Sequence, residues 1–180
     1  MFKFEIVPTK KYKVKRYFTG RRRGHYNPRY HNIGTVLGDA IELIEYAGLI
    51  RFQIWGFAPE PWGSIYDLMY LTEELPGFTK WLLEPSGVGH IDLPEQGTQR
   101  KLNFTLSGSI VTVSCAPYYI NFTPDPEFEY IELEDLKDMT RNLVVDYLYY
   151  ASKYASRVYN HPWFQDWCNS IDEQFRTPPT

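Results

Sequence analysis

Residues 101–115, KLNFTLSGSIVTVSC, decide the fold class. Two short β-patterned runs, 101–106 and 109–115, flank Ser107-Gly108, which reads as a two-residue hairpin signal. Working outward, HIDLP (90–94) precedes this pair as another short run, and Tyr118 to Phe122 is placed to extend the sheet. Nearer the start of the chain, FKFEIV (2–7) alternates and is stopped by Pro8. KYKVKRYFT (11–19) alternates again, and residues 24–34 are rich in turn formers. LIRFQIWGF (49–57) is a further β-run, closed by the Pro59–Pro61 loop.

Helical spacing appears between and after these runs. Val36, Leu37, Ala40, Ile41, Ile44 and Ala47 recur at three and four residues, with Thr35 as the expected N-cap and Gly48 as the stop. Ser64-Ile-Tyr-Asp67 resembles a capping box with Asp in place of Glu. The helix it opens is expected to break at Pro76-Gly77, with a short turn after it. The longest helix is expected over about 133–158, with Glu134, Asp135 and Asp138 in its first turns, where the macrodipole favours anions. Pro162 suits the first position of a last helix, along which Trp163, Trp167, Ile171 and Phe175 make one stripe. Residues 123–130 are Pro- and acid-rich and read as loop. The order predicts one α+β domain over 1–180, an antiparallel sheet with hairpins packed against several helices, including a long C-terminal one.

Length and composition agree with that reading. A chain of 180 residues buries about 70% of its unfolded surface, so neither disulfide nor metal is needed to hold it together. Apolar residues make up 43% and charged residues 23%, both in the globular range. Aromatics reach 17%, a supply that fills a core first and leaves anchors for an interface. Cys115 and Cys168 form no CxxC and read as two buried thiols. No secretory leader or membrane span is recognised, so the expected compartment is the cytoplasm, and no membrane or cofactor is implied.

The charge is divided. Residues 1–31 carry ten basic side chains against Glu5 alone, while the remainder carries nine basic and twenty-one acidic ones. The run Lys10–Arg23, interleaved with Tyr12, Tyr17 and Phe18, could hold phosphates and stack bases, or could be a solvated edge that Lys guards. The acidic body repels a long polyanion, so nucleic acid is not the expected partner, and a nucleic-acid module built on residues 10–23 stays an alternative.

Catalytic motifs are sparse. The chain lacks GxGxxG, GxxxxGK[ST], HExxH, GxSxG and zinc-type Cys/His spacings. Pro124-Asp125 followed by Asp135-Leu136-Lys137 is a near match to a restriction-nuclease core, in which two carboxylates hold a metal and Lys steadies a water. That core needs Asp135 and Lys137 on a strand; at a helix start they point about 200° apart. His90, Asp92 and Glu95, with His25 and His31, are metal-ligand types without a fixed mutual geometry. No catalytic residue and no metal ligand is therefore assigned, and a metal-dependent nuclease or hydrolase is the enzymatic alternative.

The stretch with the most to say is 125–138. Asp125, Glu127, Glu129, Glu132, Glu134, Asp135 and Asp138 set seven carboxylates among Phe128, Tyr130 and Ile131. A solvated loop and helix start would look like this. So would an acidic, aromatic-studded docking surface for a basic partner, since charge complementarity speeds encounter and selects the partner. The candidate partner-binding set is Asp125, Glu127, Phe128, Glu129, Tyr130, Glu132, Glu134, Asp135 and Asp138.

Over residues 35–125 the chain resembles, in style, the immunity proteins of bacterial contact-dependent and polymorphic toxin systems. A short helix leads into RFQIWGF, then PWGSIYDLMYLTEELP, then LPEQGTQRKLNF and a hairpin ending at Cys115. Those proteins share no universal motif, so no residue role carries over. The resemblance implies a cytoplasmic protein that neutralises one cognate toxin domain by binding it, without chemistry.

Overall fold

The computed structural model describes residues 1–9, 25–46, 50–95, 99–118 and 122–178. The expected strand over 11–19, the basic run Lys10–Arg23, the Gly48 stop and residues 119–121 lie outside those residues. The class is α+β, with two antiparallel sheets and a helical layer. Strand β1 (Lys3–Pro8) pairs with β2 (Ile50–Trp55), with Phe4 opposite Ile54 and Ile6 opposite Phe52. Strands β3 (Val88–Leu93), β4 (Arg100–Ser107), β5 (Ile110–Pro117) and β6 (Phe128–Glu132) follow one another as a meander.

The hairpin anticipated at 101–115 is present, with its turn one residue late. Ser107 still pairs with Ile110, so Gly108 and Ser109 form the loop. Gly108 takes φ +63°, which suits the first central position of a type II′ turn and favours glycine. Strand β6 lies where loop was expected. Its pattern hides it: Phe128 and Tyr130 face outward, while Glu129 is buried. A strand whose aromatics point to water and whose acid points inward does not read as half-buried alternation.

Helix α1 (Ile33–Tyr46) buries Val36, Leu37, Ala40, Ile41 and Ile44 of the expected stripe, and Ala47 lies outside the described residues. It starts before Thr35, the expected cap. Asn32 Oδ1 accepts from the Thr35 amide at 3.0 Å, and Thr35 Oγ1 accepts from the Asn32 amide at 3.5 Å. Asn32 is therefore the capping residue, and Thr35 answers it from the third helical position.

Helix α2 (Ile65–Leu83) opens on the anticipated capping box. The Asp67 amide donates to Ser64 Oγ at 3.2 Å, and the Ser64 amide donates to Asp67 Oδ2 at 2.7 Å. The helix does not break at Pro76-Gly77. Proline has no N–H to give the carbonyl four residues back, here that of Thr72. The Trp167 indole N–H donates to Thr72 O at 2.9 Å, in the interior, and supplies the missing bond from another helix. Thr79 Oγ1 adds a donor to Leu75 O at 2.8 Å. The helix survives because tertiary structure satisfies what proline leaves open.

Helix α3 (Leu133–Tyr154) is shorter than expected, and Ala155 separates it from α4 (Ser156–Tyr159). Pro162 opens α5 (Pro162–Ser170) as anticipated. The last stripe does not lie on one helix. Ile171 is extended, at φ −89° and ψ 132°, and Asp172 then caps α6 (Glu173–Arg176) by accepting from the Gln174 amide. Trp167, Ile171 and Phe175 are buried all the same. Buried side chains from both described sheets and all six described helices form one apolar cluster, which includes the free thiols Cys115 and Cys168.

Candidate functional site: an acidic groove between two sheet edges

A groove of about 790 Å³ runs between β1, the β6–α3 junction and one face of α3. From α3 come Asp135, Asp138, Met139, Asn142, Leu143 and Asp146, spaced by three and four so that they share a face. Residues Met1 to Ile6 border it from the β1 side, and Tyr130, Ile131 and Glu132 border it from β6. Its described lining includes five carboxylates, those of Glu5, Glu132, Asp135, Asp138 and Asp146, against the Lys3 ammonium and the Met1 amino group. Apolar Phe4, Ile6, Met139 and Leu143 lie among them. Partial burial pushes the Asp146 carboxyl above its ordinary range.

Part of this negative charge has local partners. Lys3 Nζ lies 2.6 Å from Glu5 Oε2, and Arg141 pairs with Asp138. Lys137 lies 2.7 Å from Glu134. The pairs on α3 are i,i+3 contacts with exposed acids, worth a few tenths of a kcal/mol each. Glu132 and Asp135 have no ion pair among the described residues.

The candidate residues of 125–138 divide on this geometry. Tyr130, Glu132, Asp135 and Asp138 meet at the groove. Phe128 stands exposed on β6, beside it in the strand. Glu129 is turned inward and only 8% exposed, with the Met1 amino group 2.9 Å from its Oε1. Asp125 precedes β6, where its amide donates to Phe57 O, and Glu127 and Glu134 are exposed away from the groove lining. Sequence reasoning missed the β1 wall and Asp146. The 135-138-142-146 spacing of Asp, Asp, Asn and Asp was a readable signal for the helix face, whereas nothing in FKFEIV points to residues more than a hundred positions away.

The nuclease-like pair does not have the required form. Asp135 and Lys137 sit in the first turns of α3, not on a strand. His90 and Asp92 lie on β3, where Asp92 accepts from the Tyr118 hydroxyl and faces Lys101 at 3.7 Å. His31 Nδ1 accepts from the Asn27 amide at 2.9 Å, and His25 contacts Arg157. Among the described residues no three His, Cys, Asp or Glu side chains converge as a metal-binding group. No described helix is long and apolar enough to cross a membrane.

No protein-family model, curated protein or solved structure matches the chain.

Proposed function

We propose that this chain is a binding protein of the immunity type, which neutralises a cognate, basic toxin domain by docking it. The observation that carries the reading is the groove itself: five carboxylates around an apolar floor, with Tyr130 at its border and Phe128 beside it. Exposed aromatics next to a shared apolar surface are the type of anchor that dominates binding energy. The surrounding acids steer a positively charged partner and select against neutral or acidic ones. The resemblance over 35–125 supports the same reading. In this account the protein acts by occupying the toxin, with no reaction of its own.

The test is protection. Bacteria producing a secreted toxin domain encoded beside this gene survive when the chain is co-produced, and the two proteins co-purify. The double variant Asp135→Lys, Asp138→Lys, altered at exposed positions, weakens the complex and makes its association rate less sensitive to salt. Undiminished killing in the presence of the folded wild-type chain would sink the proposal.

A further inference from the structure

The far end of α3 has the opposite character from its start. Residues 147–165 contain no Asp or Glu, and neither do residues 25–38. After residue 31 the chain carries twenty-one acids against nine bases, so acid-free stretches of this length stand out. The fold brings the two together. The Arg157 guanidinium on α4 meets His25 Nε2. Next in the chain, Tyr26 packs on His161 with ring centres 4.8 Å apart and stacks on Trp163 at 6.1 Å. Its hydroxyl donates to Asp39 Oδ2 at 3.0 Å, which ties the same residue to α1. The Tyr30 and His31 amides both return to Asn27 O and close the turn that carries Arg29 and Tyr30.

The two most exposed tyrosines of these stretches each stand beside a cation. Lys153 Nζ lies 3.0 Å from the Tyr149 hydroxyl, 5.2 Å from the centre of that ring and 5.3 Å from the centre of the Tyr154 ring. The Arg29 guanidinium lies 5.6 Å from the centre of the Tyr30 ring. Tyr149 is 52% exposed and Tyr30 71%, so the cations leave much of each ring open. Lys153, Arg157 and Arg29 are themselves exposed, and none has a carboxylate ion pair among the described residues.

We infer that this end of the molecule binds a short stretch of single-stranded nucleic acid. Lys153, Arg157 and Arg29 hold phosphates, and the open faces of Tyr149 and Tyr30 stack bases, the pairing of charge and ring that takes single strands of any sequence. An acidic protein would use the cations alone. A duplex keeps its base faces covered by their neighbours, so stacking selects a single strand. The acidic groove does not forbid this. Asp135 lies about 27 Å from Lys153 along the axis of α3. That is well beyond the Debye length of about 8 Å at physiological ionic strength, so its charge is largely screened here. Asp146 is the nearest of the groove's acids on α3, at about 10 Å on the same measure. The acids do limit the ligand to a short stretch, because a long strand would run back into them.

The probe is a fluorescein-labelled oligouridine of about ten nucleotides, titrated with the full chain by anisotropy at several salt concentrations. Three phosphate contacts make log K fall with log salt at a slope of about −2. Lys153→Gln and Arg157→Gln each bring that slope about 0.7 closer to zero. Tyr149→Ala keeps the slope and weakens binding about fivefold or more, the loss expected for one stacked base. An abasic strand of the same length loses as much on the wild-type chain, since it keeps its phosphates and offers nothing to stack. The three altered side chains are exposed, and circular dichroism checks that each variant folds. Equal binding of the abasic strand, or of a polyglutamate peptide, would leave only a charged surface and overturn the inference. Strand binding indifferent to all three substitutions is carried elsewhere in the chain and overturns it too, as does no binding at about 50 mM salt. The variant Asp135→Lys, Asp138→Lys, which tests toxin docking, keeps these differences, so either reading can fail without the other.

Discussion

Helix α2 runs through Pro76 because Trp167 serves the Thr72 carbonyl that proline leaves without a donor, and the strength of that arrangement is measurable. Trp167→Phe removes the indole N–H from a buried bond of 2.9 Å. An unsatisfied buried carbonyl costs about 1–3 kcal/mol. The smaller ring also loses packing, a term on the order of 1 kcal/mol for a side chain this buried. The two contributions separate in a cycle with Pro76→Ala. Alanine brings its own amide to Thr72 O, so in that background Trp167→Phe costs only the packing term. The coupling between the two substitutions is then about 1–2 kcal/mol, with the tryptophan worth more when proline is present. Urea midpoints at unchanged slope give the free energies. Thermal melting gives a second reading, at roughly 2–4 °C for each kcal/mol in a chain of this size. A coupling below about 0.5 kcal/mol, the limit for independent sites, would refute the reasoning. Trp167 would then be packing alone, and the continuity of α2 would need another cause.

Three further outcomes follow from particular contacts. Ser64→Ala removes the acceptor for the Asp67 amide and a hydroxyl donor to Asp67 Oδ2, and lowers stability by about 1–2 kcal/mol in urea titration. Gly89→Ala places a Cβ 2.6 Å from the Trp81 ring and lowers stability by about 1–3 kcal/mol, with partial recovery in Trp81→Leu, which removes the obstructing ring. Burial pushes the Cys115 thiol from 9.0 up to about 11. The fold favours the neutral thiol, so its contribution is whole below pH 9.0 and is lost as pH rises through about 11. The stability advantage of wild type over Cys115→Ala therefore shrinks across that window, and native Cys115 resists iodoacetamide near neutral pH, where a buried thiol holds little thiolate.

The parts of the fold that were legible in the sequence are those whose causes are local. The Ser64–Asp67 box, the α1 stripe and the Pro162 start each depend on residues within a turn or two, and each appears where the spacing places it. Two of the misreadings have distant causes. Pro76 fails to stop α2 because the donor that compensates for it lies ninety-five residues from the Thr72 carbonyl it serves. Strand β6 was unreadable because a neighbouring strand, not its own alternation, holds Glu129 inward. The cap of α1 was misplaced by three residues because Asn32 and Thr35 are both good capping residues, and only the geometry decides which one leads. At the candidate site, the acidic wall of 130–138 was visible as composition. Its meaning was not, because the facing wall is β1, which packing against α3 brings there.

The acids at this groove admit two physical readings that are usually set against each other. Charged residues, prolines and short length are how native sheets keep their edges from pairing with copies of themselves. Here β1 has six residues and ends on Pro8, and β6 has five and leads into Asp135 and Asp138. On that view the carboxylates are a guard and imply no partner. The guard is selective, however. A second copy would bring the same carboxylates to face these, and their repulsion grows as the copies approach. A partner carrying Lys or Arg meets the opposite sign. Guarding against self and recognising a basic partner are therefore one property of this surface, seen by two different approaching chains. A simple guard would need no apolar surface beside its charges; half-buried Met139, with Tyr130 and Phe128 exposed on β6, supplies one.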